Sequence, residues 1–263
     1  MSTRSVETKR SIKRMPTYNK DEAVRYDQII DQPVYKYYVD KKLKLINNWF
    51  KAKSVLLDVG CGTGVYTTPL ATRCEAIVGL DISPEMVKRG ASRAKLLCLD
   101  NIHFVVGDIS YFPFQNNAFD LVFSVNLFHH VVDEKIIVGG LLEKLRCGRQ
   151  GGYIVVFELN PNSLGWSENL IPKILRGFVY LLLLPFHQHV KDHIEEGTKI
   201  PNMSELFMGI KEIKAVLRKV GGFIPPYCPK FLFKIFVLLE NIMETTPLLR
   251  RYGAHVFLVG ELV

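Results

Sequence analysis

Three acidic residues each close a short apolar run: Asp58 after Val55-Leu56-Leu57, Asp81 after Ile77-Val78-Gly79-Leu80, and Asp108 after Phe104-Val105-Val106-Gly107. A fourth run, Phe119 to Asn126, closes on an amide. Carboxylates at strand ends can accept hydrogen bonds from the hydroxyls and amines along the edge of a nucleotide-like ligand. Asp58 is followed by glycines at 60, 62 and 64, where the backbone can bend sharply and approach a ligand closely. Because position 65 is Val65, the spacing is GxGxG and not the GxGxxG of dinucleotide folds. No Gly-Lys-Ser/Thr follows, which excludes a phosphate-cradling P-loop.

The elements that must hold these residues alternate. Apolar runs predict strands near 54–59, 76–80, 102–106, 119–125 and 152–158, and helical spacing predicts helices at 64–73, 84–95 and 133–147. Such alternation implies an α/β fold, a doubly wound, mostly parallel sheet with helices on both faces. Ligands of these sheets sit at the carboxyl ends of the strands, where Asp58, Asp81, Asp108 and Asn126 all fall. Two helices are expected within Lys20 to Phe50, and a further one over Ser204 to Val220. A closing strand is expected at Ala254 to Leu262.

This series resembles the class I S-adenosylmethionine-dependent methyltransferases, whose first motif matches Asp58 to Gly64. Asp81 lies 21 residues after Gly60, where that family places the carboxylate accepting both ribose hydroxyls. The resemblance implies a seven-stranded Rossmann-like sheet and S-adenosyl-L-methionine as cofactor. It puts Asp58, Gly60, Cys61, Ile82 and Met86 among the residues that bind the cofactor, with Gly62 at its amino-acid end, Asp81 at the ribose, Asp108 and Ile109 at the adenine, and Asn126 beside the methionine part. Tyr26-Asp27 resembles a pair in the lead-in segment that closes over the cofactor. Cys61, inside a loop that needs small side chains, reads as packing and not as a nucleophile.

Methyl transfer from a sulfonium needs alignment first, and a base only where the acceptor is a hydroxyl of ordinary acidity. His129 and His130 follow the fourth strand, and His130 is the candidate base or orienting group. Glu158, at the end of the fifth strand in Glu-Leu-Asn-Pro, resembles strand endings of small-molecule methyltransferases and is a candidate to orient the acceptor, with Asn160 and Pro161 shaping the loop. The Asn/Asp-Pro-Pro-Tyr/Phe motif of amino-directed nucleic-acid enzymes is absent, Val125-Asn126-Leu127-Phe128 standing in its place. His187, His189 and His193, near Glu195 and Glu196, read as a polar loop, and no metal is expected.

Five cysteines, an odd number with no CxxC spacing, argue against a disulfide framework or a structural zinc site, and a reducing cytoplasm is expected. Of the net charge of +8, residues 1–53 supply +7, with 13 basic and 6 acidic side chains. Residues 1–17 read as a flexible basic arm and 18–263 as one methyltransferase domain. Two segments interrupt the common pattern, 159–202 and 226–250, with apolar helices expected at 171–186 and 231–243. Neither is long enough to span a bilayer. The expectation is a lid over an apolar acceptor pocket, and peripheral membrane contact is the other use of such surface. The function this implies is methyl transfer to a small, partly apolar acceptor. The alternatives are an RNA or protein methyltransferase recruited by the basic arm, or a catalytically silent methyltransferase-like binding subunit.

Overall fold

Helix formation starts where side chains can satisfy the first free N–H groups. Asn19 accepts from the N–H groups of Asp21 and Glu22, and Glu22 returns the bond to Asn19 N–H, a capping box that opens α1 (Lys20–Ile30). Pro33 sits at the first turn of α2 (Pro33–Ile46), where its missing donor costs nothing. Both helices expected within 20–50 are therefore present. The computed structural model describes residues 18–131, 133–145, 152–160, 202–222, 231–247 and 253–263.

The chain then alternates: β1 (Val55–Val59), α3 (Thr67–Ala71), β2 (Ala76–Asp81), α4 (Pro84–Leu96), β3 (Ile102–Val106), β4 (Leu121–Val125), α5 (Glu134–Lys144) and β5 (Tyr153–Leu159). Next come α6 (Met203–Met208), β6 (Ile213–Gly221), α7 (Phe233–Thr245) and β7 (His255–Leu262). The seven strands form one sheet in the order β3-β2-β1-β4-β5-β7-β6, parallel except for β7, which runs antiparallel to both neighbours. Alternate residues of each strand enter opposite cores. Leu57, Val122 and Val156 pack on the α5 and α6 face, and Leu56, Phe123 and Phe157 pack on the face covered by α2, α3 and α4. Fully burying a phenyl such as Phe123 contributes about 1.5–3 kcal/mol.

Two expectations need correction. Helix α3 begins at Thr67, three residues after the predicted start, because Gly64 at φ +75° cannot belong to a right-handed helix. The helix predicted over 204–220 is a short helix, Met203–Met208, followed by strand β6. Residues 213–221 pair with β7 along their whole length, with a bulge between Ala215 and Leu217, and form the sheet edge. Exposed Lys214, Arg218 and Lys219 make that edge a poor template for further strands.

The expected helix at 231–243 is α7. The expected helix at 171–186, the histidine cluster at 187–193 and the basic arm at 1–17 lie outside the described residues. Among the described residues no helix is long and apolar enough to cross a membrane.

Candidate functional site

The glycine loop is stitched to β2 before any ligand is considered. Gly60 and Cys61 N–H both donate to the Leu80 carbonyl, at 2.8 and 3.0 Å. Gly62 N–H donates to Asp81 Oδ2 at 2.8 Å, and Ser83 N–H to Oδ1 at 2.9 Å. Burial raises the Asp81 carboxyl above the usual range, and these backbone donors oppose the shift. Asp58 is buried and accepts from Thr67 Oγ1 at 2.6 Å. Desolvation pushes its carboxyl up to about 7, with the Thr67 hydrogen bond lowering it and the charge of Asp81 adding to it.

The glycines serve different ends. A Cβ on Gly60 would lie 2.9 Å from Leu127 Cδ1, and one on Gly64 would lie 2.7 Å from Phe104 Cζ, so both permit close packing. Gly62, at φ +53°, would meet nothing nearer than Tyr26 Cε1 at 4.0 Å. The space in front of it is a cradle roofed by the Tyr26 ring, of the kind a ligand's amino-acid end can enter. Burial drives the Tyr26 hydroxyl well above its usual range, helped by Tyr18, Asp58 and Asp81. Its neighbour Asp27 holds α1 in position through Arg89 and Arg93 of α4 and through Thr63 Oγ1 at 2.5 Å.

The other predicted cofactor residues line the same end. Met86 is buried with its N–H on the N-cap Ser83 Oγ at 3.3 Å, and Ile82 is half-buried. Asp108 accepts from Ser110 N–H at 2.8 Å, presenting the buried Ile109 next to it. Asn126 is exposed in a left-handed conformation at φ +56°, its N–H on the Phe157 carbonyl at 2.8 Å. Cys61 Sγ would sit 2.9 Å from a Cβ on Gly79, and burial holds its thiol well above the reactive range.

Glu158 is turned away from solvent. It is fully buried and accepts from Phe128 N–H at 2.7 Å, Leu159 N–H at 2.8 Å and His129 Nδ1 at 2.6 Å. Of the two histidines it is therefore His129, not the candidate His130, that carries the carboxylate contact. The His130 ring packs on it with centroids 3.9 Å apart. Asn160 does shape its loop, donating to the Gly253 carbonyl at 2.7 Å.

Residues 56–152 match the model of a family described as a methyltransferase domain. A demethylmenaquinone methyltransferase of Bacillus pumilus is 29% identical over 203 residues, 74% of this chain and 82% of that protein. A solved S-adenosylmethionine-dependent methyltransferase from Thermotoga maritima, a possible histamine N-methyltransferase, superposes with a TM-score of 0.61 at 14% identity, over 92% of this chain and 96% of the other. The geranyl diphosphate C-methyltransferase of Streptomyces coelicolor, solved with S-adenosyl-L-homocysteine, gives 0.58 at 16% identity over 90% and 87%. At these identities the structures attest the fold. Residues 56–152 thus carry a methyltransferase domain, and the chain has the fold of the S-adenosylmethionine-dependent methyltransferases. S-adenosylmethionine is its cofactor, and the cradle at Gly62 with the acceptor carboxylate of Asp81 fits that group.

The methyltransferase has a second concavity at the far side of the sheet's carboxyl end. A cavity of about 520 Å³ opens between α2, α7 and strands β5, β7 and β6, walled by Leu45, Phe157, Val220 and Phe257. Phe157 and Phe257 stack at 4.4 Å. His255 pairs in register with both Leu159 and Gly221, which puts this cavity at the carboxyl end of β5. Helix α7 faces it with Glu244 and Thr245. The apolar side chains Ile235, Leu238, Leu239 and Ile242, which suggested a lid lining, form an exposed stripe instead. The cause lies in the inner face: buried Glu240 accepts from Tyr38 OH at 2.9 Å and Gly222 N–H at 3.1 Å, and Lys41 Nζ lies 2.6 Å from Glu244.

Sequence reasoning missed Lys42, buried in the wall of this cavity. Burial pushes its ammonium down to about 8, with the charge of Glu158 opposing. The signal was legible: Lys42 shares the buried stripe of α2 with Val34, Val39 and Ile46. His255 was also missed, its imidazole held well below its usual range by burial and by Lys42, His129 and Lys41.

Proposed function

We propose that this methyltransferase acts on a small, partly apolar acceptor that occupies the cavity between α2, α7 and the β5–β7–β6 strands. The observation that carries the reading is the cavity itself. Its volume falls in the range of about 300–1,000 Å³ usual for small-ligand sites, and apolar walls surround a few polar groups. Its wall residue Phe157 also holds Asn126 through its carbonyl, joining the cavity to the end of β4. The Bacillus relative, named a demethylmenaquinone methyltransferase, supports a small-molecule acceptor.

When bound, S-adenosylmethionine supplies an electrophilic methyl group on sulfonium sulfur. In this reading Asp81 holds the ribose, Asp108 and Ile109 read the adenine, and the Asp58 to Gly62 loop with Ile82, Met86 and Asn126 fixes the rest. Tyr26 closes the cradle above Gly62. Alignment alone contributes roughly 7–11 kcal/mol to such a reaction. Glu158 acts through His129, fixing the proton on Nδ1 and thereby the orientation of the ring beside His130. Its carboxylate oxygens are occupied, so orientation of the acceptor falls to the groups that line the cavity.

Supplying the protein with methyl-labelled cofactor, together with either a small-molecule extract or total RNA and protein, tests the reading. Label should appear in an organic-extractable small molecule. Label entering only polymer would replace this function with the polymer-directed alternative, and no transfer to any fraction would favour a silent binding subunit.

A further inference from the structure

The buried ammonium of Lys42 has a function to explain. Its side chain is 6% exposed, on the apolar stripe of α2, and its Nζ lies 5.7 Å from the Phe157 ring centroid. It lines the cavity, and among the described residues it has no hydrogen-bond or ion-pair partner. Glu158, the acid whose charge reaches it, is committed to Phe128 N–H, Leu159 N–H and His129. The adjacent Lys41 differs, being neutralised by Glu244 at 2.6 Å and Glu240 at 3.5 Å.

Charge around the cavity is one-sided. Among the described residues that line it, Lys41, Lys42, Arg218 and Lys219 are basic and Glu244 alone is acidic, with Glu240 beside Lys41 and the committed Glu158 behind Lys42. A neutral occupant would bury Lys42 further and offer it at most a neutral acceptor, and a buried charge is kept where it gains a charged partner. An anionic oxygen would form a charge-assisted bond there, in a setting of low dielectric. A carboxylate is already ionised at neutral pH, whereas an ordinary hydroxyl is not. The stacked pair of Phe157 and Phe257 next to the ammonium offers a flat apolar wall.

We propose that the acceptor is an apolar carboxylate, its flat body against Phe157 and Phe257 and its carboxylate on Lys42. This rests on the reading of the cavity as the acceptor site. In that arrangement Lys42 is a specificity residue, selecting acid over amide or ester, and Arg218 and Lys219 steer the anion toward the cavity mouth.

Isothermal titration of the full-length protein with 2-naphthoate and with its neutral isostere 2-naphthamide, in the presence of S-adenosyl-L-homocysteine, tests this. Naphthoate should bind at least tenfold more tightly than naphthamide. Lys42→Met should abolish that preference and Lys42→Arg should keep it, with the affinity for S-adenosyl-L-homocysteine unchanged in both as the check on folding. The wild-type preference needs no variant and stands as a test should Lys42→Met fail to fold. Equal binding of the two probes to the wild type, or a preference that survives in Lys42→Met, overturns the carboxylate while leaving an apolar acceptor site intact. Failure of both probes to bind overturns the cavity reading and this inference with it.

Discussion

At the β1–β2 side of the sheet's carboxyl end, backbone shapes the site, whereas at the β5–β6 side charged side chains do. The glycine loop is tied by its own N–H groups to Leu80 and Asp81, and a single glycine, Gly62, leaves the cradle open. The other side depends on Glu240, Glu244, Lys41, Tyr38 and Lys42, long side chains drawn from two helices far apart in sequence. Backbone geometry tolerates little change and serves a ligand common to a whole family. Side chains can be exchanged one at a time, which suits the acceptor site proposed on this side.

The same distinction separates what could be read from the sequence from what could not. Asp58, Asp81 and Gly62 were legible because each is demanded by local chain geometry at a strand end. Which of His129 and His130 meets the Glu158 carboxylate was not, since it depends on the short 3-10 turn at Phe128–His130 that swings one ring onto Glu158. Residues 204–220 misled for another reason: Ile213, Leu217 and Val220 have helical spacing, and pairing with β7, helped by the bulge at Val216, overrides it. Helix α7 was found, but its buried face was inverted, because hydropathy cannot reveal that Glu240 and Glu244 would meet Lys41 and Tyr38 from α2. Lys42 escaped notice since a lysine on an apolar stripe ordinarily reads as one that reaches back to solvent.

If the two sides differ as described, removing one acid from each should cause opposite failures. Glu240→Ala removes a buried acceptor from Tyr38 OH and Gly222 N–H and leaves Lys41 with one acid fewer, so it should cost roughly 3–5 kcal/mol in denaturant unfolding. Its affinity for S-adenosyl-L-homocysteine should stay within about twofold. Asp81→Ala should behave the other way. Calorimetry should record at least about a tenfold loss of affinity if, as proposed, two ribose hydroxyls lose a charged acceptor, with a stability change of about 1–2 kcal/mol from the freed Gly62 and Ser83 donors. Loss of cofactor affinity in Glu240→Ala would mean the two sides are one unit, and the comparison would break.

Asp58 sharpens the comparison through pH. With its folded value near 7 against about 3.9 for an exposed aspartate, the folded protein holds a proton that the unfolded chain has lost. A raised acid contributes stability that is fully present below the unfolded value and lost as pH climbs through the folded one. The amide introduced by Asp58→Asn would carry no such proton and could still accept from Thr67 Oγ1. Urea midpoints should therefore show Asp58→Asn gaining on the wild type by roughly 2–4 kcal/mol between pH 4 and pH 8. A gap independent of pH would mean that Asp58 is not desolvated, and that the glycine-loop side does not bury an acid in readiness for its ligand.

The smallest effect is expected where hydropathy pointed most strongly to a buried lid. Leu238 and Ile242 lie one turn apart on α7 and are 63% and 52% exposed, on the side opposite to Glu240 and Glu244. Lysine at either position would extend into solvent, retain good helix propensity and disturb none of the contacts to α2. Leu238→Lys and Ile242→Lys should each alter stability by less than about 0.5 kcal/mol. Binding of 2-naphthoate should likewise be unchanged, since neither residue lines the cavity. A loss of about 2 kcal/mol or more would be the mark of a buried apolar side chain. It would turn the helix over, with its apolar stripe packed inward, and the acid-to-lysine contacts now assigned to its inner face would have to be given up.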